Sequence, residues 1–389
     1  MYRVLLIVIV IIVYGSLYPW EFHSIQLAAS PLWVLAHSWP TVINRFVLLD
    51  IAINLLLYIP IGVFGFLAFR QNLRGGFAVM VSLLAGIVLS SSIEMIQLFD
   101  DARDCSAFDV VCNVTGTAIG VGLASLYQRW LKQIVARAES ARFFHPTGAL
   151  LLAYTWLAYE VFPLFPSFSR TRLAGKLHVL FTNGSISPLD TFTNCVEWLV
   201  LAELLASVWG PVKLRRWLPL LMLVLPAKLL IAGRSLTWSE LLGAVLAWIS
   251  WFLLSSNRRR AAPIAVLLIM VLILRGLAPY HWSSIANSFS WIPFSGFLEA
   301  NREFSMLIFL RKCFWYGSAI WLLRASGWRL ATGAVSVALL LATIEVAQIY
   351  LPGRVAEITD PVLVLILAAT LGLLERNTTN TETLSAGEL

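Results

Sequence analysis

Residues 93–116 include Glu94, Gln97, Arg103, Asp109 and Asn113, and they lie beside long runs of Leu, Val and Ile. Glu94 and Asp109 are carboxylates, which accept hydrogen bonds and can act as general acids or bases. Arg103 can bind a phosphate or a carboxylate, and Gln97 and Asn113 can both donate and accept hydrogen bonds. These residue types indicate either a site for a polar ligand or a set of contacts between helices.

The same spacing occurs again near the C-terminus. In the first stretch a Gln follows the Glu by three residues, an Arg follows six later, and an acid six later again. The second set with this spacing is Glu345, Gln348, Arg354 and Asp360. A degenerate copy between them keeps Arg234 and Glu240 six residues apart, with Lys228 in the place of Gln97. The pattern therefore predicts an internal repeat.

The composition indicates which solvent surrounds these residues. Hydrophobic residues make up 59% of the 389 residues and charged residues only 13%, whereas soluble domains have about 25% charged residues. Such a chain cannot cover its surface with polar groups, so we predict a membrane protein. The net charge of +7 comes from scattered basic residues between apolar runs, which favours contact with membrane lipids and argues against nucleic acid as a partner.

About twelve apolar segments are long enough to be predicted as transmembrane helices. They lie near residues 4–18, 47–68, 77–98, 108–127, 147–165, 192–210, 216–233, 236–254, 262–279, 304–323, 329–350 and 359–374. The loops on one side are consistently basic, which predicts a multi-pass membrane protein with both termini in the cytoplasm. The N-terminus also resembles a signal peptide, but it has no clear cleavage site, so we interpret it as the first span.

The fold class predicted from these features is all-α, a polytopic transmembrane helical bundle built as three tandem four-helix units. The first repeat covers residues 1–142, the degenerate second repeat 143–258 and the third repeat 259–376, and a polar tail over 377–389 is predicted to be disordered.

The polar residues of the first repeat are predicted to meet near the outer ends of its helices. Asp50 and Asn54 are one helical turn apart, as are Asp109 and Asn113. Because successive spans alternate in direction, these residues lie at a similar depth to Glu94. The GxxxG sequence at Gly116 and Gly120 should let another helix approach closely.

Two interpretations of this predicted pocket stay open. In the first, it is a structural clasp in which Arg103 pairs with Asp109 or Glu94. In the second, it binds a ligand, because ionisable groups inside a membrane are usually functional. The third repeat has Phe309 near the position of Asn54 and Val364 at that of Asn113, so these two Asn favour function in the first repeat.

The sequences "NLLLYIPIG", "IEMIQ" and "DVVCNVTGTAIG", with Arg103 between the last two, resemble the VanZ-like family of bacterial membrane proteins. The resemblance covers the first four spans well and the last four in part. It implies a role in the cell envelope and a link to resistance to teicoplanin-type glycopeptide antibiotics.

Three functions are compatible with these features. A binding protein would hold a lipid-linked glycan or peptidoglycan precursor at the outer leaflet, with Arg103 meeting its phosphate or carboxylate. An intramembrane enzyme would use Glu94 or Asp109 as the acid or base, although no activated nucleophile is evident. A transporter would need polar residues deeper in the membrane. No metal, cofactor or catalytic residue is predicted.

Overall fold

The structure is a computed structural model. It describes residues 1–24, 29–40, 42, 44–101, 103, 105–135, 146–163, 165–182, 184–255, 257, 259–299 and 302–386. The chain forms two compact units, an N-terminal unit (Met1–Arg142) and a C-terminal unit (Phe143–Leu389). The division into three repeats stays a prediction, and the residues predicted as the second and third repeats both lie in the C-terminal unit.

The N-terminal unit consists of helices. They are α1 (Tyr2–Leu17), α2 (Pro31–His37), α3 (Arg45–Phe69), α4 (Gly75–Gln97) and α5 (Ala107–Val135). Asn44 caps α3 by accepting hydrogen bonds from the backbone N–H groups of Phe46 and Val47 at 2.9 and 3.0 Å, which satisfies two donors at the start of the helix.

Glycines allow α3 and α5 to pack with their backbones in contact. A Cβ atom at Gly120 would lie 2.1 Å from the carbonyl oxygen of Ile59, and one at Gly116 would lie 2.5 Å from that of Leu55. Neither distance is sterically allowed, so no larger residue fits without moving a helix. The close approach predicted for the GxxxG sequence is confirmed, and its partner is α3.

The described residues of the C-terminal unit form eleven more helices and one small sheet. The helices are α6 (Pro146–Val161), α7 (Arg170–Thr182), α8 (Pro188–Trp209), α9 (Pro211–Leu221), α10 (Val224–Ala227), α11 (Trp238–Leu254), α12 (Ala261–Leu277), α13 (Ser295–Glu299), α14 (Arg302–Ala325), α15 (Leu330–Gln348) and α16 (Thr359–Ala386). A 3-10 turn (Lys228–Leu230) follows α10. Strands β1 (Phe289–Ser290) and β2 (Ala356–Glu357) pair in parallel.

Six helices among the described residues are long and apolar enough to cross a membrane. They are Phe46–Phe69, Gly75–Gln97, Ala107–Gln128, Pro188–Trp209, Glu303–Ala325 and Leu330–Gln348. Apolar side chains on these helices point outward, as Leu84 and Val88 do on α4. This pattern fits lipid as the surrounding solvent, so the chain is a helical membrane protein. Four further apolar helical segments are shorter, at 10–17 residues.

The predicted seventh span, residues 216–233, is not one continuous helix. The chain instead forms α9, α10 and the 3-10 turn. Pro226 explains the break after Leu221, because it has no N–H to donate to the carbonyl of Met222 and its ring clashes with that carbonyl, whereas Pro219 lies within α9.

The polar segment at the C-terminus also differs from the prediction. Helix α16 continues to Ala386, although composition predicts disorder over 377–389. Residues 373–386 contain neither Gly nor Pro, so nothing in this stretch interrupts the helical backbone. Residues 387–389 lie outside the described part of the chain.

Candidate functional site

The end of α4 and the start of α5 bring the polar residues of the first repeat together. Glu94 is buried, with 4% of its surface exposed. Its Oε2 accepts a hydrogen bond from the backbone N–H of Ser106 at 2.8 Å. Glu94 therefore fixes the backbone that leads from the turn into α5.

Arg103 and Gln97 both bind the last turn of α1. Arg103 donates from Nε and Nη2 to the carbonyl oxygen of Tyr18, at 2.9 and 2.7 Å. Gln97 Nε2 donates to the carbonyl oxygen of Ser16 at 2.8 Å. The last carbonyls of a helix have no partner within the helix, so these side chains cap α1. The guanidinium group is thereby committed to the fold.

Asn113 is only partly satisfied. Its Nδ2 donates to Ser90 Oγ at 2.8 Å, which links α5 to α4. Its Oδ1 is buried and has no hydrogen-bond partner among the described residues. An unmet buried acceptor costs about 1–3 kcal/mol, so this oxygen is a place where a donor would be stabilising.

The two carboxylates and a tyrosine lie on the same side of this contact. Asp109, in the first turn of α5, acts electrostatically on Glu94, and the hydroxyl of buried Tyr58 lies near Ser90 and Glu94. Asp50 and Asn54 are half-buried on α3. The contact of Leu55 with Gly116 places Asn54 at the level of Asn113 along the helix pair. The arrangement is rich in hydrogen-bond acceptors.

The third repeat makes the same backbone contacts within the C-terminal unit. Glu345 Oε2 accepts from the backbone N–H of Glu357 at 2.9 Å, as Glu94 accepts from Ser106. Gln348 Nε2 donates to the Gly276 carbonyl at 3.0 Å. Arg354 Nε donates to the Ala278 carbonyl at 2.7 Å, which matches the bond of Arg103 to Tyr18.

The acid at the end of the pattern has different partners in the third repeat. Asp360 Oδ1 lies 2.5 Å from Lys312 Nζ, and Tyr316 Oη donates to Asp360 Oδ2. Tyr316 occupies on α14 the place that Tyr58 has on α3, and Lys312 precedes it by four residues, as Asn54 precedes Tyr58. Lys312 is therefore the residue of the third repeat that is equivalent to Asn54, whereas the sequence comparison placed Phe309 near that position.

In the degenerate copy, Lys228 binds two carboxylate side chains, whereas Gln97 and Gln348 at the equivalent position bind backbone carbonyls. Lys228 Nζ lies 2.7 Å from both Glu160 Oε2 and Glu240 Oε1. Arg234 Nη2 donates to the carbonyl of Tyr159 at 2.7 Å, and Tyr159 lies in the last turn of α6, the first helix of this copy. The lysine in the place of Gln97 thus has a carboxylate to bind where Gln97 has a carbonyl.

In all three copies, the residue four positions before the arginine accepts a hydrogen bond from another part of the backbone. The N–H groups of His23, Ser167 and Ser283 donate to the carbonyls of Phe99, Leu230 and Tyr350, at 2.8, 2.6 and 2.7 Å respectively. Each donor follows the first helix of its repeat, and each acceptor precedes the arginine by four residues.

Cys105 lies in the turn between α4 and α5, and Cys105 and Cys112 are both free thiols. Burial, assisted by the negative charge of Glu94, raises the pKa of Cys105 to about 11. The thiol is therefore protonated at neutral pH and unreactive.

Comparison with known families covers the N-terminal unit. Residues 2–128 match the model of the VanZ/LLP1 family, which confirms the VanZ-like resemblance of this part of the chain. No curated protein and no solved structure matches the chain. The chain is therefore a helical membrane protein with a VanZ-like region at its N-terminus.

Proposed function

We propose that this protein belongs to the bacterial cell envelope and binds a lipid-linked glycan or peptidoglycan-related component at the outer leaflet through the first repeat. The observation that carries the proposal is the buried Oδ1 of Asn113, which has no hydrogen-bond partner among the described residues and lies in the same helix contact as the buried carboxylate of Glu94. Sugar hydroxyls and amines are hydrogen-bond donors, so they complement such a site.

The part assigned to Arg103 changes in this proposal. The sequence suggested that Arg103 meets a phosphate or carboxylate of the ligand. Its bonds to the Tyr18 carbonyl favour a role in holding α1, so the ligand is recognised through its hydroxyl or amine groups. Membrane lipids would hold the acyl part of such a molecule.

An intramembrane enzyme acting on the same class of substrate is the second candidate. It is favoured by the electrostatic contact between Glu94 and Asp109, because paired carboxylates can divide the roles of general acid and base. The hydroxyl of Ser90 accepts a hydrogen bond from Asn113, which favours a positioning role for Ser90 over that of a nucleophile.

Three tandem four-helix repeats are part of the proposal. They are supported by equivalent bonds of three arginines to the C-terminal end of the first helix of each repeat. These arginines are Arg103, Arg234 and Arg354, and the helices are α1, α6 and α12. The basic loops support an inner-membrane protein with both termini in the cytoplasm. The VanZ-like match over residues 2–128 motivates a test for resistance to teicoplanin-type antibiotics.

Native mass spectrometry of protein purified in mild detergent tests the proposal, with a lipid-linked disaccharide-peptide precursor of peptidoglycan as the probe. Asn113→Val replaces the open acceptor with the residue that the third repeat has at this position, Val364. We expect wild type to retain the probe and Asn113→Val to bind it about tenfold more weakly, as the loss of one or two hydrogen bonds predicts.

A matched pair of variants separates binding from stability. Glu94→Gln and Glu345→Gln weaken the same kind of bond to a backbone N–H. The proposal predicts that only Glu94→Gln loses the probe. Equal binding by wild type, Glu94→Gln and Asn113→Val would leave the first repeat as a structural clasp.

A further inference from the structure

A cluster of charged residues in the C-terminal unit lies outside the candidate site. Two arginines share one aromatic ring in this cluster. The Cζ atoms of Arg234 and Arg311 lie 4.8 and 5.6 Å from the centre of the Tyr159 ring. Arg311, on α14, also lies 4.9 Å from the centre of the Trp315 ring. Aromatic faces attract guanidinium groups, but they do not neutralise two like charges.

Every nearby carboxylate already has a partner of its own. Glu160 and Glu240 bind Lys228, Glu197 Oε1 accepts from Trp315 Nε1 at 2.7 Å, and Asp190 binds Arg275. Among the described residues, no carboxylate oxygen lies within 4.0 Å of either Arg234 or Arg311. The carboxylates of the cluster thus bind other donors, and neither Arg234 nor Arg311 forms an ion pair among the described residues.

The two arginines also keep hydrogen-bond capacity. In the first and third repeats, the equivalent Nε atoms of Arg103 and Arg354 donate to backbone carbonyls. The Nε of Arg234 is buried and has no partner among the described residues. The hydrogen bond recorded for Arg311, from Nη1 to Tyr159 Oη, is long at 3.5 Å and therefore weak.

We propose that Arg234 and Arg311, together with Tyr159, form a binding site for the oxygen atoms of a phosphate group. The planar guanidinium group matches a phosphate oxyanion with two parallel hydrogen bonds. Glu197 lies within the electrostatic range of Arg311 and offsets part of the positive charge. The site therefore favours a singly charged phosphodiester, as in a lipid headgroup, over a doubly charged phosphate. This inference is independent of the function proposed for the first repeat.

Ligand-dependent thermal stability of the full-length protein in a neutral detergent tests the site. The probes are dioctanoyl phosphatidylglycerol, dioctanoyl phosphatidylcholine with the same acyl chains, and inorganic phosphate. A ligand that binds the folded state raises the Tm with its concentration. We expect the anionic lipid to raise the Tm and the zwitterionic lipid to have little effect. An equal rise with inorganic phosphate would assign the site to free phosphate instead of a lipid.

Variants identify the residues responsible. Arg311→Gln and Arg234→Gln should each weaken binding of the effective probe about tenfold or more, because each removes a charged hydrogen-bond donor. Arg216→Gln, at an exposed arginine on α9, is the control and should bind as wild type does. Arg311→Lys keeps the charge if Arg311→Gln fails to fold, and it should still bind several-fold more weakly because lysine lacks the planar fork.

The site is disproved by any of three results. The first is equal effects of phosphatidylcholine and phosphatidylglycerol on the wild-type Tm. The second is the absence of any Tm change with phosphatidylglycerol and with phosphate. The third is wild-type affinity in folded Arg311→Gln or folded Arg311→Lys.

Discussion

The first and third predicted repeats share the same clasp contacts but differ at one position, which carries a charge only in the third. Glu94 and Glu345 each bind a backbone N–H, and Arg103 and Arg354 each bind a carbonyl at the end of the first helix of their repeat. Asp360 has Lys312 as a partner, whereas the first repeat has the uncharged Asn54 at the position equivalent to Lys312. A pattern shared by both repeats is thus best explained by folding. The residues that differ are the better candidates for function.

The largest effect should come from removing the cation of the third repeat. Lys312→Ala leaves the buried carboxylate of Asp360 without its cationic partner, with the hydroxyl of Tyr316 as the remaining donor, which should destabilise the protein by about 3 kcal/mol. Thermal unfolding in detergent measures this loss. Asn54→Ala is the matched change in the first repeat and should cost less than about 1 kcal/mol. Equal losses would contradict the proposed difference in charge balance.

The arginine variants should behave alike. Arg103→Gln and Arg354→Gln each remove two or more hydrogen bonds to backbone carbonyls at the end of a helix. Each change should cost about 2 kcal/mol, measured as a fall in Tm. Loss of precursor binding in Arg103→Gln at unchanged Tm would instead support direct contact between Arg103 and the ligand.

The sequence identifies the clasp residues but not their partners. The spacing of Glu94, Gln97 and Arg103 between apolar spans is visible in the sequence, and so are most span positions and the GxxxG contact. The partners of Arg103 and Gln97 are backbone carbonyls, which every residue has, so no residue type signals them. Because Glu94 and Asp109 lie close to Arg103 in the sequence, the sequence suggests an ion pair between Arg103 and one of them, whereas the bonds described for Arg103 lead to α1.

Other features depended on length differences between the repeats. Glu94 follows Tyr58 by 36 residues, whereas Glu345 follows Tyr316 by 29. This difference in the lengths of the helices and their link hides the equivalence of Lys312 and Asn54. Proline signalled the break near Pro226, but the high apolar content of 216–233 favoured a span. Nothing in the spacing of the repeated pattern pointed to Arg311.

The smallest effect concerns the reactivity of Cys105. With its pKa raised to about 11 by burial, about one thiol in a thousand is deprotonated at pH 8, so alkylation by N-ethylmaleimide should be slow and should accelerate as pH rises towards 11. Glu94→Gln removes the nearby negative charge, lowers the pKa of Cys105 and should speed the reaction several-fold. Tandem mass spectrometry distinguishes Cys105 from Cys112. Glu345→Gln serves as the control, and an equal acceleration there would indicate general loosening of the fold.

The most direct test of the central claim introduces the lysine of the third repeat into the first. Asn54→Lys places a cation on α3 at the position equivalent to Lys312, and the dissociation constant for the lipid-linked peptidoglycan precursor is then measured against wild type. The claim predicts that Asn54→Lys folds with an equal or higher Tm and binds the precursor at least about tenfold more weakly, because the acceptors become neutralised internally. Unchanged affinity in a folded Asn54→Lys protein would contradict it.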